Sequence, residues 1–400
     1  MMEQVLGKSG QLTVGASVTY SGVVIGTFAG TNTLTITLNA AANETAVQAL
    51  LRNISFSSLS GAPSTLQRTI TATLSDGNGG TSLAMTTLVD VIAVNDAPVV
   101  GAFTPDITYV ENATPILIDS NATVTDLDSL DFANGFMTVS LTANGHADDR
   151  LSIRNQGSAA NQIGVVGNQI TYSGVNIGSF VGGTSGLVPL QITFNAVASK
   201  TAVQSIVRNL TFSNVSDNPS TLPRTVSLSV NDGDDGTSLP VTKFINVTAV
   251  NDAATIGSFG GNVEYATSGP AVVLDSDATV EDPDNESFHL GVLTVSLTTN
   301  WQATDRIEIL SVGSGIGEIS VLSNQVFYEG LLIGTFGGTT TLSVTLNSNA
   351  STAAVQKLLR SITFRSLSAT PSLLSRTVSV TLSDGAGGTS VAQTKTINLS

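Results

Sequence analysis

The chain has 400 residues, of which 11% are charged and none is cysteine, and its formal net charge is −15. Such an acidic surface repels phosphate backbones and no Lys/Arg cluster offsets it, so nucleic acid is excluded as a partner. The absence of thiols excludes disulfides and thiolate metal sites. No apolar run approaches the roughly 18 residues of a spanning helix, so this segment is not expected to insert into a membrane. The opening MMEQVLGKSG lacks the basic and apolar stretches of a secretory leader, so an export signal is expected outside this chain.

Taken in order, the chain first shows YSGVVIGTF from Tyr20, then a stretch in which Leu34, Ile36 and Leu38 alternate with Thr. Alternation of period two puts these apolar side chains on one face of a strand and leaves the other face to Thr. Asn43 is an N-cap former, and Val47, Leu50 and Leu51 behind it make the apolar stripe of a short helix that plugs one end of a sandwich. RTITATLSDGNGGTS from Arg68 reads as a strand running into a tight hairpin, with glycine supplying positive φ at DGNGG.

The same text then returns. YSGVNIGSF begins at Tyr172 and YEGLLIGTF at Tyr328; TAVQSIVRNLTF begins at Thr201 and AAVQKLLRSITF at Ala353. RTVSLSVNDGDDGTS begins at Arg224 and RTVSVTLSDGAGGTS at Arg376. Arg52, Arg208 and Arg360 are separated by 156 and 152 residues, and the difference falls in GGTSGLVPL from Gly182, which reads as a longer hairpin loop. Ser199 and Ser351 occupy the cap position of Asn43, and Val226, Leu228, Val230 and Val378, Val380, Leu382 repeat the strand alternation. Tyr20, Tyr172 and Tyr328 share one strand position, which points to core packing.

A front half precedes only the second and third copies. IDSNATVTDLDS from Ile118 matches LDSDATVEDPDN from Leu274, each followed by a strand, MTVSLTANG from Met137 and LTVSLTTNW from Leu293. The expected architecture is therefore all-β: tandem β-sandwich repeats of about 150 residues, each with one short helix. The expected boundaries are 1–97 for an incomplete first repeat, 98–252 for the second and 253–400 for the third, and both ends read as cut from a longer array.

Catalysis finds little to work with. His146 and His289 occupy different places in the unit, there is no thiol, and the acidic pairs recur with the repeat as structural groups do, so an enzyme is not expected. Asp148, Asp149 and Asp305, in the DDR and TDR segments, are expected to form strand-end ion pairs with the adjacent Arg150 and Arg306.

The linkers AVNDAP (93–98) and AVNDAA (249–254) each precede a D-x-D loop, Asp126 with Asp128 and Asp282 with Asp284. The order of a V-N-D-A-P linker, an E-N-A turn and A-T-V-T-D-x-D-S resembles the cadherin-like tandem repeats of large bacterial surface and adhesin proteins, a fold also related to the immunoglobulin sandwich. That resemblance implies a cell-surface or secreted, adhesion-type role with calcium (Ca2+) held at the repeat junctions. It assigns Asn95, Asp96, Asp126 and Asp128 to the first junction, and Asn251, Asp252, Asp282 and Asp284, with Glu111 from the repeat before, to the second. Hard oxygen ligands of this kind suit calcium, which takes six to eight of them. This sequence departs from the cadherin linker in having Ala93 and Ala249 where an aspartate is found there, so fewer ions are implied. The alternatives are that the sandwiches themselves bind an unidentified glycan or protein on a surface, or that the chain is the self-associating subunit of a surface filament.

Overall fold

The computed structural model describes residues 12–14 and 17–400; the opening MMEQVLGKSG lies outside them. Contacts gather the chain into two units, Met1–Asp96 and Ala97–Ser400. The second unit holds two separate hydrophobic cores, one drawn from residues 100–247 and one from residues 254–399. Around each core an eight-stranded sheet faces a three-stranded one, which makes a β-sandwich.

In the earlier sandwich the large sheet runs, from one edge to the other, Ile163–Val166, Gln169–Tyr172, Val175–Val181, Leu190–Phe194, Phe136–Ala143, Arg224–Asn231, Val241–Thr248 and Ile107–Val110. Every pairing is antiparallel except the last, in which Ile107 lies beside Ile245 in parallel. The later sandwich repeats this order, with Ile319–Leu322 at one edge, Asn262–Tyr265 at the other and Val292–Thr299 inside.

The front-half strand sits inside the sheet, paired on both sides. Met137 lies opposite Ile192 and Val230, and Val139 opposite Leu190 and Leu228. Leu293 and Val295 take the same positions against Val344 with Leu382 and Leu342 with Val380. All twelve of these side chains are fully buried, while the Thr and Ser between them face outward. The two sheets meet through aromatic pairs set edge to face: Tyr109 on Phe212, centroids 5.5 Å apart, and Tyr265 on Phe364 at 5.1 Å.

Buried charge ties the two halves together. Asp149 pairs with Arg224 and Asp305 with Arg376, each at 3.1 Å with both side chains sealed from solvent. This corrects the expectation that the adjacent Arg150 and Arg306 are the partners. Neighbouring residues on a strand point to opposite faces. The aspartates turn inward, while Arg150 and Arg306 donate to the backbone carbonyls of Ala147 and Asp149 and of Ala303 and Asp305. Asp148 pairs instead with His146 at 2.9 Å. A second pair of ion pairs, Lys243 with Asp119 and Lys395 with Asp275, lies under the sandwich beside Phe103 and Phe259.

The helices are α1 (Glu44–Leu51), α2 (Lys200–Val207) and α3 (Thr352–Leu359), capped by Asn43, Ser199 and Ser351, each of which accepts from the N–H three residues on. In α2 and α3 the buried stripe takes in an alanine as well as the expected aliphatics; in α1 only Ala46 and Leu50 are buried. The DG loops close as hairpins, with Asp76, Asp232 and Asp384 donating N–H to the carbonyls of Gly80, Gly236 and Gly388. Glycine is required at 233, where φ is +94° and a Cβ would lie 2.0 Å from the Ala133 carbonyl oxygen. GGTSGLVPL is the longer loop expected, joining Val175–Val181 to Leu190–Phe194.

The first unit carries the back half of the pattern. Leu12–Val14, Ser17–Tyr20, Val23–Ala29 and Thr35–Leu38 make a four-stranded sheet, and Arg68–Ala72 with Met85–Val89 a separate pair. Residues 54–58, which correspond to the buried strands Leu210–Asn214 and Ile362–Ser366, form no strand here. Ile54 and Phe56 are accordingly 42% and 43% exposed, where Phe212 and Phe364 are 0%.

The buried ion pair gives a direct test of how the halves are joined. Arg224→Met strands the Asp149 carboxylate in the core and is expected to cost about 3–5 kcal/mol in urea unfolding, whereas Arg224→Met with Asp149→Leu recovers most of the loss. A single mutant within 1 kcal/mol or so of the parent would show that the pair is not what couples the halves.

Candidate cation-binding junction

The residues 249–254 leave the earlier sandwich and enter the later one, and the carboxylates expected at this junction converge on them. Glu111 is placed by the strand Ile107–Val110, whose parallel pairing continues as the Glu111 N–H donates to the Thr248 carbonyl at 2.9 Å. Its side chain turns back to the linker, where Oε2 accepts from the Val250 N–H at 2.7 Å. Asp252 lies in the linker itself and donates its N–H to Asp284 Oδ2 at 2.5 Å. Oxygens of Glu111, Asp252 and Asp284 all lie within 4.8 Å of one another.

Asp282 does two things at once. Its Oδ1 accepts from the N–H groups of Asp284 and Asn285 at 3.2 and 3.0 Å, the turn chemistry typical of Asp, while its Oδ2 is buried without a hydrogen-bond partner. Asp126 repeats this in the earlier sandwich: Oδ1 accepts from Asp128 and Ser129, and Oδ2 has no partner. Asn251 is held elsewhere, donating to Asp384 Oδ2 at 2.8 Å and accepting from Asn285 Nδ2 at 3.0 Å. Asn95 and Asp96 close the first unit, while Glu111, Asp126 and Asp128 belong to the second.

Electrostatically this is an arrangement of like charges. Burial raises the Glu111 carboxyl above its ordinary value, the Val250 N–H pulls the other way, and Asp284, Asp252 and Asp217 push it up further. Burial and then Asp284, Asp217 and Asp282 raise Asp252. No described ion pair brings a Lys or Arg to Glu111, Asp252 or Asp284. Glu111 is only 4% exposed, and its Oε1, like Asp252 Oδ2 and Asp282 Oδ2, is buried with no hydrogen-bond partner. Buried carboxylate oxygens left in this state are rare unless something not bonded to the chain answers them. A donor set of hard, anionic oxygens fits a hard divalent cation such as calcium.

Three contributors escape sequence reasoning. Asp217 adds its charge from the loop before Arg224–Asn231, and its neighbour Asn218 donates to the Pro283 carbonyl at 2.8 Å. The same register holds Gly61 and Ala62 in the first copy and Ala369 and Thr370 in the third, so the repeat gives no signal for either residue. Asp384 belongs to a hairpin that reads as a turn and nothing more. Against its burial, hydrogen bonds from Asn251, Ala386, Gly388 and Gly387 hold its carboxyl below the ordinary value.

No protein-family model matches this chain, and no curated protein does. Among solved structures, the extracellular cadherin domains 1–5 of protocadherin gamma B2 match at 13% identity over 84% of this chain and 45% of that one, with a TM-score of 0.24. The extracellular domain of protocadherin gamma B4 matches at 13% identity over 83% and 38%, with a TM-score of 0.26. Drosophila N-cadherin EC1–4 matches at 11% identity over 84% and 58%, with a TM-score of 0.20. The chain spans about half the length of these matched chains.

The raised carboxyls fix the sign of a pH effect. A carboxyl whose value is higher in the folded chain takes up a proton on folding as the pH falls through its raised range, so ionising it above that range opposes the fold. Without a cation, the junction is expected to resist opening better near pH 5 than at neutral pH, before general acid unfolding sets in. Asp384 acts in the opposite sense, because its lowered value makes a contribution that fades as the pH falls further. Glu111→Gln removes the Glu111 share of the first effect and leaves that of Asp252, and protection from hydrogen exchange at residues 248–254 followed against pH reads both directions. Protection factors in the parent, corrected for the intrinsic pH dependence of exchange, that do not rise between neutral pH and about pH 5 would contradict the assignment of strain to these carboxyls.

Proposed function

We propose that this chain is a non-catalytic, extracellular repeat segment of structural and adhesion type, from a bacterial surface protein. Its sandwiches divide at about residues 97 and 252, and the junction between the second and third is stiffened by calcium. The observation that carries this reading is the buried Glu111 Oε1, which lacks a partner and stands among Asp252 and Asp284. Glu111, Asp252 and Asp284 would hold the ion, with Asp282 Oδ2 in reserve. The ion supplies the positive charge that no Lys or Arg supplies there.

The chain's own groups do the rest. Glu111 reports the end of one sandwich, Asp282 and Asp284 the start of the next, and Asp252 lies between. A cation shared by all of them penalises any rotation that separates the sandwiches, because each ligand lost leaves a buried carboxylate unanswered. A string of beads then behaves as a rod able to hold a binding module away from a cell. The low TM-scores of the cadherin matches add nothing to this reading, which rests on the site.

Calcium should raise the melting temperature of the chain by several degrees relative to the same protein in chelator, with the gain growing with calcium concentration. Asp252→Asn with Asp284→Asn should abolish that gain and leave the chelator melt equal to or above that of the parent. Identical melts of the parent in calcium and in chelator would sink the proposal.

A further inference from the structure

Three asparagines in the chain are followed directly by glycine: Asn78, Asn134 and Asn144. Such a pair carries a latent reaction, because the glycine main-chain nitrogen can approach the asparagine side chain with no Cβ in the way. That nitrogen attacks the amide carbon, its proton leaves with the side-chain NH2 as ammonia, and a five-membered succinimide closes. Water then opens the ring at either carbonyl, to aspartate or to isoaspartate. The fold decides which of the three pairs reacts, since the attack needs a free side-chain amide and an unbonded glycine N–H brought together.

Two of the pairs are held. Gly135 is buried, its N–H donates to the Phe132 carbonyl at 3.0 Å, and a Cβ there would lie 2.3 Å from the Asn231 carbonyl oxygen. Asn144 spends its side chain on a neighbouring segment, where Nδ2 donates to the Pro223 carbonyl at 2.8 Å. Closing the ring at either place breaks one of these hydrogen bonds.

Asn78 is different. It sits at the tip of the DGNGG hairpin, and both Asn78 and Gly79 are exposed. Among the described residues, the Asn78 side chain and the Gly79 N–H make no hydrogen bond. A Cβ at Gly79, where φ is +98°, would meet nothing within 4 Å, so there is room for the ring. Asp76 Oδ1 grips the chain on either side, accepting from the Asn78 N–H at 2.8 Å and the Gly80 N–H at 2.9 Å, and it leaves the N–H between them unbonded. In the third copy the equivalent Gly387 N–H is tied to Asp384 Oδ1 at 3.0 Å. The exposure belongs to the hairpin itself: Asp234 and Ala386, at the same place in the two later sandwiches, are exposed as well.

We propose that Asn78–Gly79 is a site of spontaneous deamidation, and that the fold protects Asn134 and Asn144 from the same reaction. The nucleophile is the Gly79 nitrogen, the leaving group is ammonia, and water is the one other reactant. Each event replaces a neutral amide by a carboxylate and gives the first loop the charge that Asp234 carries in the second. The isoaspartate product also lengthens the main chain by a methylene between the two N–H groups that Asp76 holds, which loosens the turn. This inference involves neither the junction nor its cation.

The full chain is incubated for weeks in mildly alkaline buffer, with and without guanidinium chloride, and its peptic peptides are followed by mass spectrometry. In the folded chain, the peptide holding Asn78 is expected to gain about 1 Da. That gain should come at least about tenfold faster than in the peptides holding Asn134 and Asn144. In denaturant the three rates should converge. Asn78→Gln should remove the early mass gain and the matching acidic species on anion exchange, and it should leave the melt unchanged because the side chain bonds nothing. Enzymatic methylation specific for isoaspartate should label the aged parent and not this variant. Asn78 reacting in the folded chain no faster than Asn134 or Asn144, or reacting in denaturant alone, would overturn the proposal. Early acidic species that persist in Asn78→Gln would overturn their assignment to this pair.

Discussion

Each complete sandwich depends on one strand that is held from both sides. Phe136–Ala143 and Val292–Thr299 come from the front half, yet each becomes the hydrogen-bonded interior of a sheet made otherwise mostly of back-half strands. Pairing on both edges puts every second side chain into the core and leaves no free ladder on the strand. It also brings the Asp149 or Asp305 that follows under the opposite face, where a buried arginine waits. The core, the ion pair and the closed sheet are therefore consequences of one non-local pairing.

Carboxylates in this chain fall into two kinds. Asp119, Asp149, Asp275 and Asp305 are buried with a basic partner contributed by a distant strand, and Asp119 and Asp275 also receive backbone N–H groups. For Asp275, burial works against ionisation, but the bonds from Lys395 and Asp277 more than offset it and hold the carboxyl below its ordinary value. Glu111 and Asp252 show the reverse balance, with burial and neighbouring aspartates both raising them. In a chain only 11% charged, such a difference in surroundings is informative. One set of acids is neutralised from within, and no described ion pair brings a Lys or Arg to the other.

Much of this was legible in the residues. The repeat, the period-two strands, the three caps and the DG hairpins follow from local chemistry, and the structure has each where the pattern puts it. What failed was pairing at a distance. Asp149 was matched to its sequence neighbour Arg150, because a sequence shows adjacency and not the far strand that delivers Arg224. Asp217 and Asn218 were invisible for a related reason: they occur in one copy alone, and their importance comes from a loop reaching the next sandwich. At the junction, Asp282 uses one oxygen for the turn chemistry common to aspartate, while the other is buried without a hydrogen-bond partner.

The junction is held by neutral contacts and opposed by charged ones. Asn218 of the earlier sandwich reaches the Pro283 carbonyl of the later one, while Asn285 reaches Asn251 and Asn251 reaches Asp384, so amide groups tie the two sandwiches together and the linker to the later one. These bonds keep Glu111, Asp252 and Asp284 close enough for their repulsion to be felt. An ordinary surface would relax by moving the acids apart into water, but Glu111 is anchored by its own strand and by the Val250 N–H. Geometry is thus set partly by amide groups indifferent to salt and pH, while the free energy of that geometry is set by carboxylates sensitive to both.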